Sequence, residues 1–376
     1  MSVAIDPVDL ACRLIACPSV TPASGAVFDV LEDALRPLGF EVHRFIAGEP
    51  PDGPVENLFA IRGGGGTHLG FAGHLDVVPP GEGWRGDAFA PEIRGGLLYG
   101  RGAVDMKGGI AAFVAACAEL PGHAGAISLI VTGDEEGPAV HGTRALMAWM
   151  AERSIRPDMI LIGEPTSEHR LGDVVKIGRR GTVNMWIDVP GAQGHVAYPH
   201  RSDNPIPKLA RVIAALEALH LDDGTGSFQP SNLELTAVAT PTRATNIIPG
   251  GATAQLNIRF NDLHRGEALV ELVRRTAAEA APGTTVEAKI SGEAFLTPPG
   301  PLYELVTAAI REETGLAPEL STAGGTSDGR FLIALCPVVD FGLPNATMHQ
   351  VDEAASLADI AALQRIYARV LRAALG

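Results

Sequence analysis

Residues 129–137 read "LIVTGDEEG", an apolar run that ends at Gly133 and is followed by the acids Asp134, Glu135 and Glu136. The run that precedes them, "AISLIVT" (126–132), is short and apolar and predicts a buried β-strand. Adjacent carboxylates repel one another, so a positive charge nearby is expected to compensate them. Open parallel sheets bind ligands beyond the carboxyl ends of their strands, and the stretch therefore indicates both the fold and the edge that carries its site.

Strands and helices alternate on both sides of this stretch. The predicted strands are 57–62, 68–73, 126–132, 159–162 and 337–341, and the predicted helices are 26–38, 107–120, 140–152, 301–314 and 357–374. This alternation predicts an α/β fold, with a mostly parallel sheet and helices on both of its faces.

The pattern changes near residue 174. Strands are predicted at 174–188, 232–240, 252–260 and 284–291, with helices at 204–219 and 265–281. The order β-α-β-β-α-β is that of a split βαβ domain. Residues 178–292 are therefore predicted to form an inserted α+β domain, whereas 1–177 and 293–376 form the domain that carries the acids.

Composition excludes several classes of function. The net charge of −15 argues against nucleic acid as a partner, because phosphate binding needs a clustered basic face. No apolar stretch is long enough to span a membrane, and the N-terminus lacks the features of a signal peptide. The four cysteines form no CxxC pair, which favours reduced thiols and a cytoplasmic location over a disulfide.

Histidines and acids follow several predicted strands at the point where each strand ends. These residues are His74 and Asp76 after 68–73, Glu135 and Glu136 after 126–132, Glu164 after 159–162, and His349 after 337–341. Asp105 lies in the glycine-rich turn "GRGAVDMKGG" (100–109) before a predicted helix. Taken alone, Asp105 could cap that helix and Glu164 could be a loop acid. Because the carboxyl ends of parallel strands share one edge, the whole set predicts a metal site.

The donor types indicate which metals would bind. Two histidines with three or four carboxylates, and no cysteine, fit Zn²⁺, Co²⁺ or Mn²⁺, and they suffice for two ions that share a bridging ligand. Adjacent residues of an extended chain point to opposite sides. One of Glu135 and Glu136 is therefore expected to bind metal, while the other faces a water held between the ions.

Five segments together resemble a known family. "GHLDVVPPG", "GRGAVDMKGG", "GDEEGPAVHGT", "GEPTS" and "NATMHQVDE" are similar in order and spacing to motifs of the dinuclear zinc peptidases and deacylases of family M20. The resemblance implies that His74 and Glu164 hold one Zn²⁺, for which Co²⁺ can substitute. It implies that Glu136 and His349 hold the second ion, and that Asp105 bridges the two.

The resemblance also implies the catalytic roles of other residues. Glu135 would be the general base, and Asp76 would orient His74. The inserted domain would form a homodimer, in which His195 reaches the active site of the partner subunit and donates to the developing oxyanion. The alternative for His195 is a loop histidine that caps local backbone.

Further segments resemble the branch of the family that removes succinyl groups from amino acids: "GRRGT" (178–182), "QGHVAYPH" (193–200), "TNIIP" (245–249) and "STAGGTSDGRF" (321–331). The implied reaction is hydrolysis of the amide of a small anionic acylated amino acid. Candidate substrate-binding residues are Arg179, Asn246, Arg259, Thr326 and Asn345. The alternatives to this activity are another deacylase or a dipeptidase of the family, or a metal-binding protein without catalysis.

Overall fold

The computed structural model describes residues 4–376, which form two compact units. Unit 1 contains the chain up to Ile177 together with Thr297–Ser321 and Ser327–Gly376. Unit 2 contains Gly178–Leu296 and the short segment Thr322–Thr326.

Both units contain helices and strands, which are numbered separately in chain order. The helices are α1 (Pro7–Ile15), α2 (Ala26–Leu35), α3 (Lys107–Ala118), α4 (Thr143–Glu152), α5 (Pro205–Glu217), α6 (Gly266–Ala280), α7 (Pro301–Thr314), α8 (Gly329–Leu332) and α9 (Leu357–Leu375). The strands are β1 (Glu41–Ala47), β2 (Val55–Gly64), β3 (His68–His74), β4 (Glu92–Arg94), β5 (Leu97–Tyr99), β6 (Gly125–Thr132), β7 (Met159–Ile162), β8 (Val174–Lys176), β9 (Gly178–Arg179), β10 (Gly181–Pro190), β11 (Gly194–His195), β12 (Asn232–Ala239), β13 (Ile247–Ile248), β14 (Gly251–Phe260), β15 (Thr285–Gly292), β16 (Phe295–Leu296), β17 (Glu319–Ser321), β18 (Val338–Asp340) and β19 (Ala354–Ser356).

The main sheet of unit 1 has the strand order β1-β2-β6-β3-β7-β18-β8-β17. Its central strands β6, β3, β7 and β18 are parallel to one another, whereas β1 and β2 are antiparallel to their neighbours. Every residue of β6 is buried, as its apolar sequence predicts.

Helices cover both faces of this sheet. On one face Phe71 of β3 stacks on Phe113 of α3, with ring centroids 4.0 Å apart, and Tyr367 of α9 meets both rings edge-on. On the other face Ala72 packs in a cluster with Met150 of α4. Successive residues of a strand point to opposite faces, so Phe71 and Ala72 belong to different layers.

Unit 2 is a four-stranded antiparallel sheet with the order β12-β14-β10-β15, packed on α5 and α6. Its elements follow the chain order β10-α5-β12-β14-α6-β15, which is the split βαβ order that the sequence predicted. Along β10, Met185 and Ile187 are buried against the helices, whereas Trp186 and Asp188 face away from this core.

Most sequence expectations for the elements are confirmed, including the α/β class with a mostly parallel sheet. The strand expected at 174–188 is instead divided into β8, β9 and β10. The helix expected at 26–38 ends at Leu35 and continues as a 3-10 helix over Arg36–Leu38. Within residues 4–376, none of the helices has both the length and the apolar character needed to cross a membrane. That residues 178–292 are a dimerisation domain stays a prediction.

Candidate metal centre

Four adjacent strands of unit 1 bring histidine and carboxylate side chains to one edge of the sheet. Because β6, β3, β7 and β18 are parallel neighbours, their carboxyl ends meet there. His74 is the last residue of β3, Glu135 and Glu136 follow β6, and Glu164 follows β7. His349 lies in the loop after β18.

His74 is held by the backbone of its own strand end. Its Nδ1 lies 2.9 Å from the carbonyl oxygen of Asp76, and since a carbonyl only accepts, Nδ1 carries the proton. The Asp76 carboxylate is farther from this nitrogen, at 3.6 Å. The contact through which Asp76 would orient His74 is therefore made by the backbone carbonyl of Asp76. The other ring nitrogen, Nε2, is left for a ligand and points to Asp105 Oδ1 at 3.1 Å.

The Asp76 carboxylate, which is fully buried, holds the chain after β6 in a turn. Its Oδ1 accepts the backbone N–H of Glu135 at 3.2 Å, and its Oδ2 accepts that of Glu136 at 2.9 Å. Glu135 and Glu136 thus lie in a turn, not in the extended chain that we expected from the sequence. In an extended chain successive N–H groups point to opposite sides. The N–H groups of Glu135 and Glu136 instead converge on one carboxylate, so the chain must turn there.

His349 and His74 approach opposite oxygens of Asp105. Nε2 of His349 lies 3.1 Å from Asp105 Oδ2 and 2.8 Å from Glu136 Oε1. Asp105 does not cap α3, because Met106 is the N-cap residue and the helix has no side-chain cap. The peptide bond between Asp105 and Met106 is cis. A carboxylate with one oxygen toward each histidine is the arrangement that a bridging ligand requires.

The electrostatics of the cluster favour positive charge. Hydrogen bonds with Asp105 and Glu136 raise the pKa of His349 to about 10. Burial opposes the charging of His74, but Asp105 and the other nearby carboxylates outweigh it and raise the pKa of His74 well above its usual range. Burial would likewise raise the pKa of Asp105, yet its hydrogen bonds with the two histidines lower it.

The donor set fits divalent cations. Donor atoms of His74, Asp105 and Glu136 all lie within 4.8 Å of one another, and so do those of His74, Glu135 and Glu164. Imidazole nitrogens with carboxylate oxygens are ligands that suit Zn²⁺, Co²⁺ and Mn²⁺. Glu135 therefore lies within reach of the same ion as His74 and Glu164.

The environment of Glu135 differs from that of an ordinary surface acid. Burial, followed by the negative charge of Asp328, raises the pKa of Glu135 to about 8. Asp328 itself is buried and accepts the hydroxyl of Thr143 at 2.5 Å. A carboxyl group with a raised pKa can take up a proton near neutral pH, as a general base must. Asp328 belongs to the quoted segment "STAGGTSDGRF", but the sequence did not show that it lies close enough to Glu135 to affect its pKa.

In unit 2 the structure brings His195 and Asn246 together. β11 and β13 form a small ribbon that pairs His195 with Ile247, and the carbonyl of Asn246 accepts the N–H of Val196 at 3.1 Å. The exposed ring of His195 accepts the N–H of Ala197 at Nδ1, at 3.1 Å. In the neutral ring Nε2 therefore carries the proton and is available as a donor.

Three arginines of unit 2 lie in two places: Arg179 beside Thr326, and Arg180 near Arg259. Arg179 is buried, and its Nη1 donates to the carbonyl of Gly325 at 3.1 Å, next to Thr326. Burial, and then the charge of Arg180, lowers the pKa of Arg259. Arg180 donates to Asn232, and within residues 4–376 its buried Nε has no hydrogen-bond partner. Two guanidinium groups that repel each other favour an anion between them.

Asn345 lies in unit 1, in the loop after β18. Its backbone N–H donates to the carbonyl of Ser167 at 2.9 Å. This contact joins the loop that carries His349 to the "GEPTS" loop that carries Glu164. Asn345 is thus the only one of the predicted substrate-binding residues in unit 1, whereas Arg179, Asn246, Arg259 and Thr326 lie in unit 2.

Comparisons with known proteins agree with the motifs. The profile of peptidase family M20/M25/M40 matches residues 70–373. Succinyl-diaminopimelate desuccinylase of Rhizorhabdus wittichii is 66% identical over 371 residues, which cover 99% of this chain and 98% of the relative.

Two solved structures are similar in fold. Aminopeptidase PepT from Bacillus cereus has a TM-score of 0.79 at 19% identity and covers 97% of each chain. The YXEP protein of Bacillus subtilis, described as a dinuclear metal binding peptidase from the M20 family, has a TM-score of 0.72 at 15% identity. That alignment covers 98% of this chain and 97% of the other.

Proposed function

The chain belongs to peptidase family M20/M25/M40, and on this premise we propose that it hydrolyses N-succinyl-LL-2,6-diaminopimelate to succinate and LL-2,6-diaminopimelate. The observation that carries the proposal is the 66% identity, over nearly the whole chain, to a succinyl-diaminopimelate desuccinylase. This reaction belongs to lysine and diaminopimelate biosynthesis, which agrees with a cytoplasmic location.

We assign two metal ions to the cluster of unit 1, with Zn²⁺ as the expected ion and Co²⁺ as a substitute. Site 1 consists of His74, Glu164 and Asp105, and site 2 consists of His349, Glu136 and Asp105. The support is the approach of the two histidines to opposite oxygens of Asp105. When bound, the ions supply Lewis-acid chemistry that polarises the scissile carbonyl and lowers the pKa of a shared water.

Glu135 moves the proton in this proposal. A carboxylate oxygen of Glu135 accepts a proton as water adds to the carbonyl carbon, and it then delivers that proton to the departing amine nitrogen. The C–N bond breaks as the amine leaves, so succinate and a free amine are the balanced products. General acid–base transfer of this kind typically contributes about 10²–10⁴-fold to the rate.

His195 is the proposed oxyanion donor, with Asn246 beside it. The support is its exposed Nε2–H, set by the bond from Ala197 to Nδ1. In the proposed homodimer this donor serves the metal centre of the second copy. Removal of one oxyanion donor typically costs about 10²–10³-fold in kcat.

A second copy has a suitable surface on unit 2. Among the described strands only β14 pairs with β12, and Val238 of this edge strand is 60% exposed. An open strand edge with an exposed apolar residue favours pairing with another strand. Val238→Lys is expected to shift sedimentation toward the monomer, whereas an unchanged dimer would place the interface elsewhere.

The substrate's charges match the arginines of unit 2. Succinyl-diaminopimelate presents a succinyl carboxylate and two amino-acid carboxylates. Arg179 and Arg259 are the proposed partners, because a guanidinium binds a carboxylate through two parallel hydrogen bonds. Thr326 and Asn345 would add hydrogen bonds.

Turnover of matched substrates tests the proposal. Purified protein loaded with Zn²⁺ or Co²⁺ is given N-succinyl-LL-2,6-diaminopimelate, N-acetylornithine and a dipeptide, and the release of free amine is measured. The succinyl substrate is expected to have the highest kcat/KM, with Glu135→Gln as the inactive control. Faster hydrolysis of the acetyl substrate or dipeptide would favour another deacylase or peptidase activity. Metal binding without any turnover would favour a non-catalytic protein.

A further inference from the structure

A buried ion pair lies behind the proposed metal centre. Nη1 of Arg101 lies 2.6 Å from Oε2 of Glu353, and the two side chains are 2% and 0% exposed. Taking two charges out of water is costly, and a buried ion pair is weak evidence for a gain in stability. The role of this ion pair is therefore better inferred from the groups to which it is hydrogen-bonded than from its contribution to stability.

Both oxygens of Glu353 are saturated by donors from one short loop. Oε2 accepts the N–H of Gly102 at 3.2 Å in addition to Arg101, and Oε1 accepts those of Val104 and Asp105 at 2.8 and 3.1 Å. The carboxylate thus holds the backbone that delivers the Asp105 side chain to the two histidines.

The same pair also holds the loop that carries His349. Nη2 of Arg101 donates to the carbonyl oxygen of His349 at 3.4 Å and to that of Pro80 at 3.2 Å. The carbonyl of Glu353, four residues beyond His349, accepts the N–H of Gly100 at 3.0 Å. One ion pair therefore connects the segment of the bridging acid with the segment of a terminal histidine.

We propose that Arg101 and Glu353 are positioning residues that set the metal affinity of site 2 more than that of site 1. This inference rests on the proposed metal centre. In site 2 the pair supports two of the three ligands, Asp105 and His349. In site 1 it supports only Asp105, because His74 stands on β3 and Glu164 directly follows β7. Loss of the pair therefore weakens site 2 first.

Glu353→Gln is the direct test, because it keeps the shape and removes one acceptor. Each carboxylate oxygen accepts two donors, so either orientation of the glutamine amide turns an NH₂ group toward two N–H groups. Mutation of a residue that hydrogen-bonds to a metal ligand typically lowers metal affinity by about 10–100-fold. We expect that loss for the second Co²⁺ bound, with affinity for the first ion nearly unchanged.

The matched control is Glu56→Gln. Glu56 is also buried, and it accepts from Arg44 and from the N–H of Gly25, but its side chain contacts no proposed ligand. Co²⁺ affinities are measured by competition with a chelator, bound metal by elemental analysis, and the visible absorption of bound Co²⁺ reports coordination geometry. The control is expected to bind two ions as the wild type does.

Three results would overturn the inference. In one, Glu353→Gln binds both ions with wild-type affinity and spectrum; in another, it loses both ions equally. If Glu353→Gln does not fold, Arg101→Lys carries the test, because lysine keeps the charge but cannot span Glu353 and the His349 carbonyl together. The third overturning result is an Arg101→Lys protein that binds two ions with wild-type affinity. A wild-type protein that binds fewer than two ions contradicts the proposed metal centre itself.

Discussion

Replacing Asp76 with asparagine tests how the chain places its proposed base. The two carboxylate oxygens of Asp76 each accept one backbone N–H, from Glu135 and from Glu136. Asparagine has the same shape but only one acceptor oxygen. Whichever way its amide lies, one of the two N–H groups faces an NH₂ group instead of an oxygen.

The size of the effect follows from that single lost acceptor. A buried donor without a partner costs about 1–3 kcal/mol. The turn can relieve this cost only by moving, and such movement displaces Glu135 from the metal centre. Since about 1.4 kcal/mol corresponds to tenfold in rate, we expect Asp76→Asn to lower kcat by about 5–150-fold.

Steady-state kinetics with metal analysis are the assay. The control is Asp173→Asn, because the Asp173 carboxylate likewise accepts backbone N–H groups, from Glu168, His169 and Arg170, none of which is a proposed site residue. The control should keep kcat. A folded Asp76→Asn protein whose kcat stays within about twofold of wild type would refute the reasoning, because one lost acceptor is expected to cost at least about fivefold.

Three further predictions concern other groups. Glu135→Gln should keep both metal ions by elemental analysis and lose about 10²–10⁴-fold in kcat, and loss of an ion would make Glu135 a ligand. His195→Ala should lower kcat by about 10²–10³-fold with both ions retained, and mixing it with Glu135→Gln should restore activity if the partner supplies His195. Burial lowers the pKa of His68, so the unfolded chain binds the additional proton first, and the free energy of unfolding should fall as pH drops below about 6.5. His68→Gln should reduce that fall in urea unfolding, and an unchanged fall would assign it to other groups.

The edge of the sheet that carries the site could be predicted because several of the site residues lie at or after strand ends. The apolar run of β6 and the alternation around it indicate a parallel sheet, and a parallel sheet places His74, Glu135 and Glu164 at one edge. The metal, substrate and oxyanion roles came from the family resemblance and remain proposals.

The local geometry could not be predicted, because it depends on residues far apart in sequence. Nothing in "GDEEG" shows that Asp76 accepts the N–H groups of its two glutamates and bends them into a turn. Glu353 lies within the quoted segment "NATMHQVDE", yet its four donors come from residues 101–105. A charged residue in a loop is usually solvated, and only the packing of these distant segments reveals its burial.

The position of β18 in the sheet has a consequence for synthesis on the ribosome. β18 lies between β7 and β8 in the sheet, although all of unit 2's main segment, Gly178–Leu296, is translated between β8 and β18. Until Val338–Asp340 emerges, β7 and β8 have an open position between them, and His349 is not yet available to the cluster. Unit 2 has its principal strands and helices earlier, so it can fold while unit 1 waits for its C-terminal segments. The residues of the proposed metal centre are therefore complete only after the C-terminal segment of unit 1 has been synthesised.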